Sequence, residues 1–200
     1  MLNMTVSQAA QLFADPRMAS YPRPPLLPPG RPLMSVRPAV ARDADFLWRV
    51  LLEAYDWNGE QRFTAEQLAA DPCAARYLVG WPCRGDFGVI AETDAGEPVG
   101  AVWARRFSGS EPGYGFVAPD VPELTLGVLP EHRGRGHGRA LMEALIRAAV
   151  EGPASVARLS LSVEDGNRAV HLYTALGFTR VGRNGNSDTM VLDVQRAPHH

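Results

Sequence analysis

Residues Arg133-Gly134-Arg135-Gly136-His137-Gly138-Arg139 set three glycines at alternate positions among three arginines, a composition suited to holding an anion. In the segment before them, Leu124, Leu126 and Val128 alternate with smaller or polar neighbours, which is the period of a strand. Pro130 ends that ladder because it has no N–H to donate. The segment after them carries Leu141, Leu145, Ile146 and Ala149 at helical spacing. Strand, glycine loop and helix in this order make a phosphate cradle. The first helical turn has N–H groups without intrahelical partners and a partial positive charge, and the glycines let the backbone come close to the anion.

Spacing separates the kinds of cradle. A Walker loop needs a lysine followed by Ser or Thr, and the chain contains no lysine. A dinucleotide fingerprint needs G-x-G-x-x-G, and counting from Gly134 and Gly136 the third position is Arg139. Arg133-x-x-Gly136-x-Gly138 after a Val-x-Pro strand end resembles instead the pyrophosphate loop of the Gcn5-related N-acetyltransferase (GNAT) superfamily. A second stretch agrees with it. Ser160-Leu161-Ser162-Val163 reads as a strand, and Asn167-Arg168-Ala169-Val170-His171-Leu172-Tyr173 with Gly177-Phe178 is similar to the superfamily's Asn-x-x-Ala/Val-x-x-x-Tyr helix and Gly-Phe signature. Together the two motifs cover roughly Val121 to Phe178.

The resemblance implies a fold and a reaction. The fold is a mixed α/β architecture: a mostly antiparallel central sheet of about seven strands, flanked by helices and splayed at the central strand. The reaction is transfer of an acetyl group from acetyl-CoA to a primary amine, on a small molecule or a peptide N-terminus. Backbone groups of Leu126, Gly127 and Val128 are expected to meet the pantetheine arm as an added strand would, one N–H stabilising the oxyanion, with Gly127 keeping the approach open. Arg133, Gly134, Arg135, Gly136, His137, Gly138 and Arg139 are expected to hold the pyrophosphate. Solvated surface charge is the alternative for Arg133 and Arg139, and the phosphate role is the favoured one.

Tyr173 is the expected general acid, its phenol donating to the departing sulfur, against the alternative of a packed core tyrosine. Asn167 is expected to cap its helix and to meet the pantetheine region. Glu123 is the leading general base. By strict alternation it shares a face with Thr125 and Gly127, a parity that a bulge would shift. Ser162, where some relatives carry the base, cannot serve, and Glu164, Asp165 and His137 are the other candidates. A non-catalytic acyl-CoA-binding regulatory module is the competing reading, and the retained Tyr173 argues against it.

Two hundred residues suit one domain with a tail, and a formal net charge of −2 argues against a nucleic-acid binder held by bulk electrostatics. Two cysteines, Cys73 and Cys83, are expected to be free thiols. No apolar run approaches the ~20 residues of a spanning helix, and the N-terminus lacks a signal-peptide pattern, so the expectation is a cytoplasmic protein. Its partners would be acetyl-CoA and an amine acceptor, with no nucleic acid, no membrane and no metal; a homodimer stays open. Residues 1–33 are dense in proline and are expected to form an extended or disordered extension, as a linker or a polyproline ligand. The domain would run over 34–196, with 197–200 as a tail.

Within the domain, Ser35-Val36-Arg37 predicts a strand, and Phe46, Leu47, Val50, Leu51 and Ala54 give a helical stripe with Asp43 as N-cap. Thr64 and Gln67 predict a capping box, and Asp71-Pro72 an end or interruption. Phe87–Glu92 and Val99–Ala104 flank the turn-forming Asp94-Ala95-Gly96-Glu97-Pro98. The Gly- and Pro-rich stretch from Ser108 to Pro122 is expected to line the acceptor site. For Tyr55, Trp57, Tyr77 and Trp81, core packing and pocket lining both stand. Phe178–Val181 and Thr189–Val194 close the sheet around Asn184-Gly185.

Overall fold

The computed structural model describes residues 35–152 and 156–195. The expectations for the proline-rich segment 1–33 and the tail 197–200 fall outside these residues. Seven strands form one sheet in the order β1-β2-β3-β4-β5-β7-β6, where β1 is Ser35–Pro38, β2 Phe87–Glu92, β3 Pro98–Arg105, β4 Glu123–Val128, β5 Arg158–Glu164, β6 Thr179–Asn184 and β7 Ser187–Asp193. Every neighbouring pair is antiparallel except β4 and β5. That parallel pair is joined by a crossover through α4, His137–Glu151, as a parallel connection requires. The remaining helices are α1 Ala44–Tyr55, α2 Ala65–Ala70, α3 Pro72–Ala75 and α5 Ala169–Ala175.

The expected splay lies between β4 and β5. They stay in register only at Glu123 and Ser160, where the Ser160 N–H donates to the Pro122 carbonyl at 2.9 Å, and then diverge. Because N–H and C=O groups alternate sides along a strand, and Leu129 N–H bonds to Val99 on the β3 side, Leu126 and Val128 turn their backbone groups toward the gap.

Two apolar layers sandwich the sheet. On one face α4 buries Leu141, Met142 and Leu145 against Val102, Leu124 and Leu161. On the other, α1 buries Leu47, Val50 and Leu51 against Ile90, Ala101 and Trp103. This is the expected helical stripe meeting strand alternation. Gly127 sits beneath α1: a Cβ there would stand 2.7 Å from both Cγ1 and the carbonyl oxygen of Val50. Its missing side chain therefore lets α1 lie on the sheet, rather than opening the way to a cofactor.

The helix boundaries show where local signals were read well. Thr64 accepts from Gln67 N–H at 3.2 Å while Gln67 Oε1 accepts from Thr64 N–H at 2.8 Å, the predicted capping box. Asp71-Pro72 interrupts rather than ends the helical segment, Asp71 capping α3 through Cys73 N–H. Asp43 differs from its expected role. It stands at the N-cap of α1 but makes no cap bond; its carboxylate accepts from Arg37 at 2.8 and 2.9 Å and from Val40 N–H at 2.8 Å, tying the helix entrance to β1. The nearby arginine outcompetes the local N–H groups because its bonds to the carboxylate are charge-assisted and bidentate.

Candidate active site

A cavity of about 360 Å³ opens where β4 and β5 part, and it brings Glu123, Tyr173 and Asn167 to one place. The expected bulge-dependent ambiguity at Glu123 is resolved by the pairing of β3 with β4, which runs without a shift from Arg105–Glu123 to Gly100–Val128. Glu123 thus keeps the parity of Thr125 and Gly127 and faces the α1 side of the sheet. It is 3% exposed.

One of its oxygens is held and the other has no hydrogen-bond partner. Oε1 accepts from the Tyr77 hydroxyl at 2.7 Å and from Gly115 N–H at 2.8 Å. Oε2 is buried and has no protein partner. Burial pushes the Glu123 carboxyl up to about 7, with the Tyr77 and Gly115 hydrogen bonds pulling the other way. A carboxyl so placed changes protonation near neutral pH, which suits a base.

Tyr77 is itself fixed from three sides. Its hydroxyl accepts from Tyr114 N–H at 2.7 Å, and its carbonyl accepts from Trp103 Nε1 at 3.1 Å. The buried Arg105 guanidinium holds the flanking carbonyls of Arg76 and Val79 at 2.7 and 2.9 Å and pairs with Asp86 at 2.6 Å. Burial, and then the adjacent Glu123 carboxylate, drives the Tyr77 hydroxyl well above its usual pKa, so it remains a donor to Glu123. Both sequence readings of Tyr77 are therefore right: it is core, and it lines the cavity.

The Gly- and Pro-rich connection after β3 does reach the cavity. Gly113 packs so closely that a Cβ would collide with Glu123 Oε2 and the Tyr77 hydroxyl, and a Cβ on Gly115 would stand 2.4 Å from the Leu161 backbone of β5. These glycines let the connection press into the gap between β4 and β5. Composition marked it as a candidate lining, but not which glycines carry the contact.

On the opposite wall, Tyr173 of α5 is buried with its ring 5.9 Å from that of Phe178. Burial raises its hydroxyl pKa, so the phenol holds its proton at neutral pH. Asn167 differs from its expected role as N-cap: Arg168 holds that position of α5, while Asn167 Oδ1, one residue earlier, accepts from Ala169 N–H at 2.9 Å, and the residue also lines the cavity.

Glu164 and Asp165, the other carboxylate candidates, are committed elsewhere. Glu164 accepts from Trp57 Nε1 at 2.6 Å, from both terminal nitrogens of Arg62 at 3.0 Å and from Asn186 at 2.8 Å. Chiefly through Arg62, its carboxyl is held down to about 2. It staples the segment after α1 to the end of β5. Asp165 is paired with Arg183. Neither Trp57 nor Arg62 was legible as a partner for Glu164, because more than a hundred residues separate them.

The glycine loop leads into α4 with Gly134 at φ 73° and Gly136 at φ 89°, left-handed values that favour glycine. Gly136 occupies the N-cap, so the first N–H groups of a 15-residue helix point outward beside it. His137 is buried in the first turn, its ring 6.0 Å from His132; burial, then the charges of His132 and Arg135, lowers its pKa. Arg135 and Arg139 are exposed, Arg139 lying 3.6 Å from Glu143. The Arg133 guanidinium is turned back into the protein, donating to the Val128 carbonyl at 3.0 Å, to the Trp57 carbonyl at 3.3 Å and to Glu53 at 2.7 Å. In this arrangement it straps the loop to the end of α1. Gly138 lies over Leu172 and Leu126.

Comparison with known proteins agrees with this arrangement. The profile of the acetyltransferase (GNAT) family matches residues 48–178. A mycothiol acetyltransferase of Amycolatopsis mediterranei is 32% identical over 178 residues, covering 84% of this chain and 52% of the relative. The chain thus spans about half the length of the curated relatives it matches. Among solved structures, an acetyltransferase of the GNAT family from Staphylococcus aureus Mu50 superposes with a TM-score of 0.60 at 13% identity, over 81% of this chain and 99% of the other. Spermidine N-acetyltransferase from Vibrio cholerae, in complex with CoA and spermine, gives a TM-score of 0.56 at 19% identity, over 82% and 98%. The chain belongs to the acetyltransferase (GNAT) family.

Proposed function

We infer that the protein is an acetyl-CoA-dependent N-acetyltransferase that moves an acetyl group directly to a primary amine. The observation that carries this reading is the presence, in the lining of one cleft, of a buried carboxylate with an unpartnered oxygen and a buried tyrosine that keeps its proton. Cofactor binding alone needs neither. The family relationship and the acetyltransferase names of the relatives support the same chemistry.

Acetyl-CoA would lay its pantetheine arm along the gap-facing backbone of Leu126 and Val128 and its pyrophosphate on the N–H groups around Gly134, Gly136, His137 and Gly138. Glu123 Oε2, directly or through one water, takes a proton from the acceptor ammonium. The freed amine nitrogen attacks the thioester carbonyl carbon. A β4 backbone N–H facing the gap stabilises the resulting oxyanion. The oxyanion collapses, the C–S bond breaks, and the Tyr173 hydroxyl protonates the departing thiolate. The second ammonium proton passes to solvent as the amide forms, Glu123 then releases its own proton to solvent, and solvent restores the Tyr173 proton. Tyr77 and Gly115 position the base by holding Oε1, which leaves Oε2 as the oxygen without a partner.

Thiol release from acetyl-CoA against a panel of small amines and peptide N-termini tests the proposal. Turnover is expected with at least one acceptor, and Glu123→Gln and Tyr173→Phe are each expected to lower it by ~10²–10⁴-fold, with acetyl-CoA affinity by calorimetry little changed. Tight acetyl-CoA binding without thiol release for any acceptor would favour the non-catalytic acyl-CoA-binding module instead.

A further inference from the structure

The acceptor half of the cleft carries an unusual charge inventory. Among the described residues that line it, only Glu123, Glu164 and Arg62 are charged. Arg62 and Glu164 cancel one another through two 3.0 Å bonds, and each is further occupied: Arg62 donates to the Tyr55 carbonyl at 2.6 Å, while Glu164 also accepts from Trp57 and Asn186. Among the buried side-chain atoms of this lining, one carboxylate oxygen, Glu123 Oε2, and the Tyr55 hydroxyl have no protein partner.

The walls around it are aromatic. Tyr55 meets Phe63 edge-on at 5.6 Å and Tyr114 at 6.4 Å, and Tyr114 stacks on Tyr77 at 6.3 Å with ring planes 10° apart. Phe63 and Tyr114 are 36% and 44% exposed, large for aromatic rings at the mouth of a cleft. Aromatic faces accept a cation and cover an apolar body, but give an anion nothing.

On the acetyltransferase reading above, we propose that the acceptor is a primary amine with a single positive charge on a neutral, apolar or aromatic body, bearing neither a carboxylate nor a second ammonium. Its ammonium lies at Glu123 Oε2 and its body lies between Tyr55, Phe63 and Tyr114. A ligand carboxylate would enter the field of Glu123 and find the guanidinium of Arg62 already bound by Glu164. A second ammonium would find no second open carboxylate. Both lose affinity by exclusion rather than by missing contacts, which is how a site separates ligands of similar size.

Phenethylamine, phenylalanine and spermidine test this, titrated by calorimetry into the full-length protein saturated with CoA and, in parallel, assayed for acetylation. Phenethylamine and phenylalanine share a body and differ by the carboxylate alone. Phenethylamine is expected to bind about tenfold or more tighter than either of the others. Glu164→Gln, which releases the Arg62 guanidinium, is expected to narrow the gap between phenethylamine and phenylalanine severalfold by raising phenylalanine affinity. Equal binding of phenylalanine or spermidine, no binding of phenethylamine, or a gap unmoved by Glu164→Gln would overturn the inference. The two readings fail separately. Phenethylamine bound with this preference but never acetylated removes the transferase reading and leaves the charge inference standing. Acetylation of phenylalanine or spermidine as readily as phenethylamine does the reverse.

Discussion

The proposed donor side of the cleft comes mostly from one continuous run, Leu126 to Arg139, whereas the proposed acceptor side is gathered around Glu123 from separate stretches: the end of α1 with the segment after it, the region around Tyr77, the Gly113–Gly115 connection, and the β5 end with Asn186. The first is made by backbone geometry, with glycines at left-handed φ and a helix N-terminus, and so depends on residues next to one another in sequence. The second is made by side chains meeting over long separations, such as Tyr77 with Glu123 and Trp57 with Glu164. A donor common to a family can be held by a local device. An acceptor that differs between relatives is read by a surface that can change one segment at a time.

The comparison breaks first at Gly136. Gly136→Val places a β-branched residue at φ 89°, a conformation that costs ~1–2 kcal/mol, and sets its side chain beside the helix N–H groups. Loss of measurable acetyl-CoA binding is expected, with the fold retained by circular dichroism. Normal binding by calorimetry would show that the loop is not the donor site.

A second test uses stability rather than activity. Since the Glu123 carboxyl rises from an ordinary 4.5 to about 7 on folding, the folded state binds more protons across that window, and stability falls as pH rises through it. The loss through this group is roughly 3 kcal/mol. Denaturant unfolding at pH 5 and pH 8 should show it in the wild type and not in Glu123→Gln. Equal pH dependence of the two would mean that Glu123 is not the strained group of the acceptor side.

Arg133 sharpens the boundary between the two sides. The resemblance makes it a pyrophosphate ligand, whose loss would weaken cofactor binding tenfold or more, by roughly 1.5–3 kcal/mol for a charge-assisted contact. The geometry makes it a strap between the loop and Glu53 of α1. Arg133→Ala is therefore expected to lower stability by less than about 1 kcal/mol, as for a partly exposed ion pair, and to shift acetyl-CoA affinity less than tenfold. A hundredfold loss would return it to the phosphate.

The smallest effect is expected at Tyr77. Tyr77→Phe removes a hydrogen bond that favours the charged form of Glu123, so the acid limb of the pH profile of kcat/KM should move upward by about one unit, with the high-pH plateau largely kept. An unmoved limb would mean that Tyr77 only packs.

Much of the scaffold was legible because its signals are local. The stripe of Leu47, Val50 and Leu51, the Thr64–Gln67 box and the strand alternation around Leu124 each depend on neighbours within a few residues. Where a distant group competed, local reading missed: Asp43 was taken by Arg37, and Gly127 makes room for Val50 rather than for a ligand. Glu123 and Tyr173 were identifiable as candidates through their motifs, but the single open oxygen of Glu123 was not, since it depends on Tyr77 and Gly115.

By itself, then, the sequence determined the order of strands and helices, the glycine loop with its glycines at alternate positions, and the two residues proposed here to move protons. Periodicity, capping and φ preference act over a turn or a strand, so adjacent residues encode them. Only the tertiary structure decided which carboxylate is left unpaired. That outcome is a competition among all donors within hydrogen-bond reach: Arg62 saturates Glu164, Arg183 holds Asp165, and Glu123, buried beside Tyr77, keeps one oxygen without a partner.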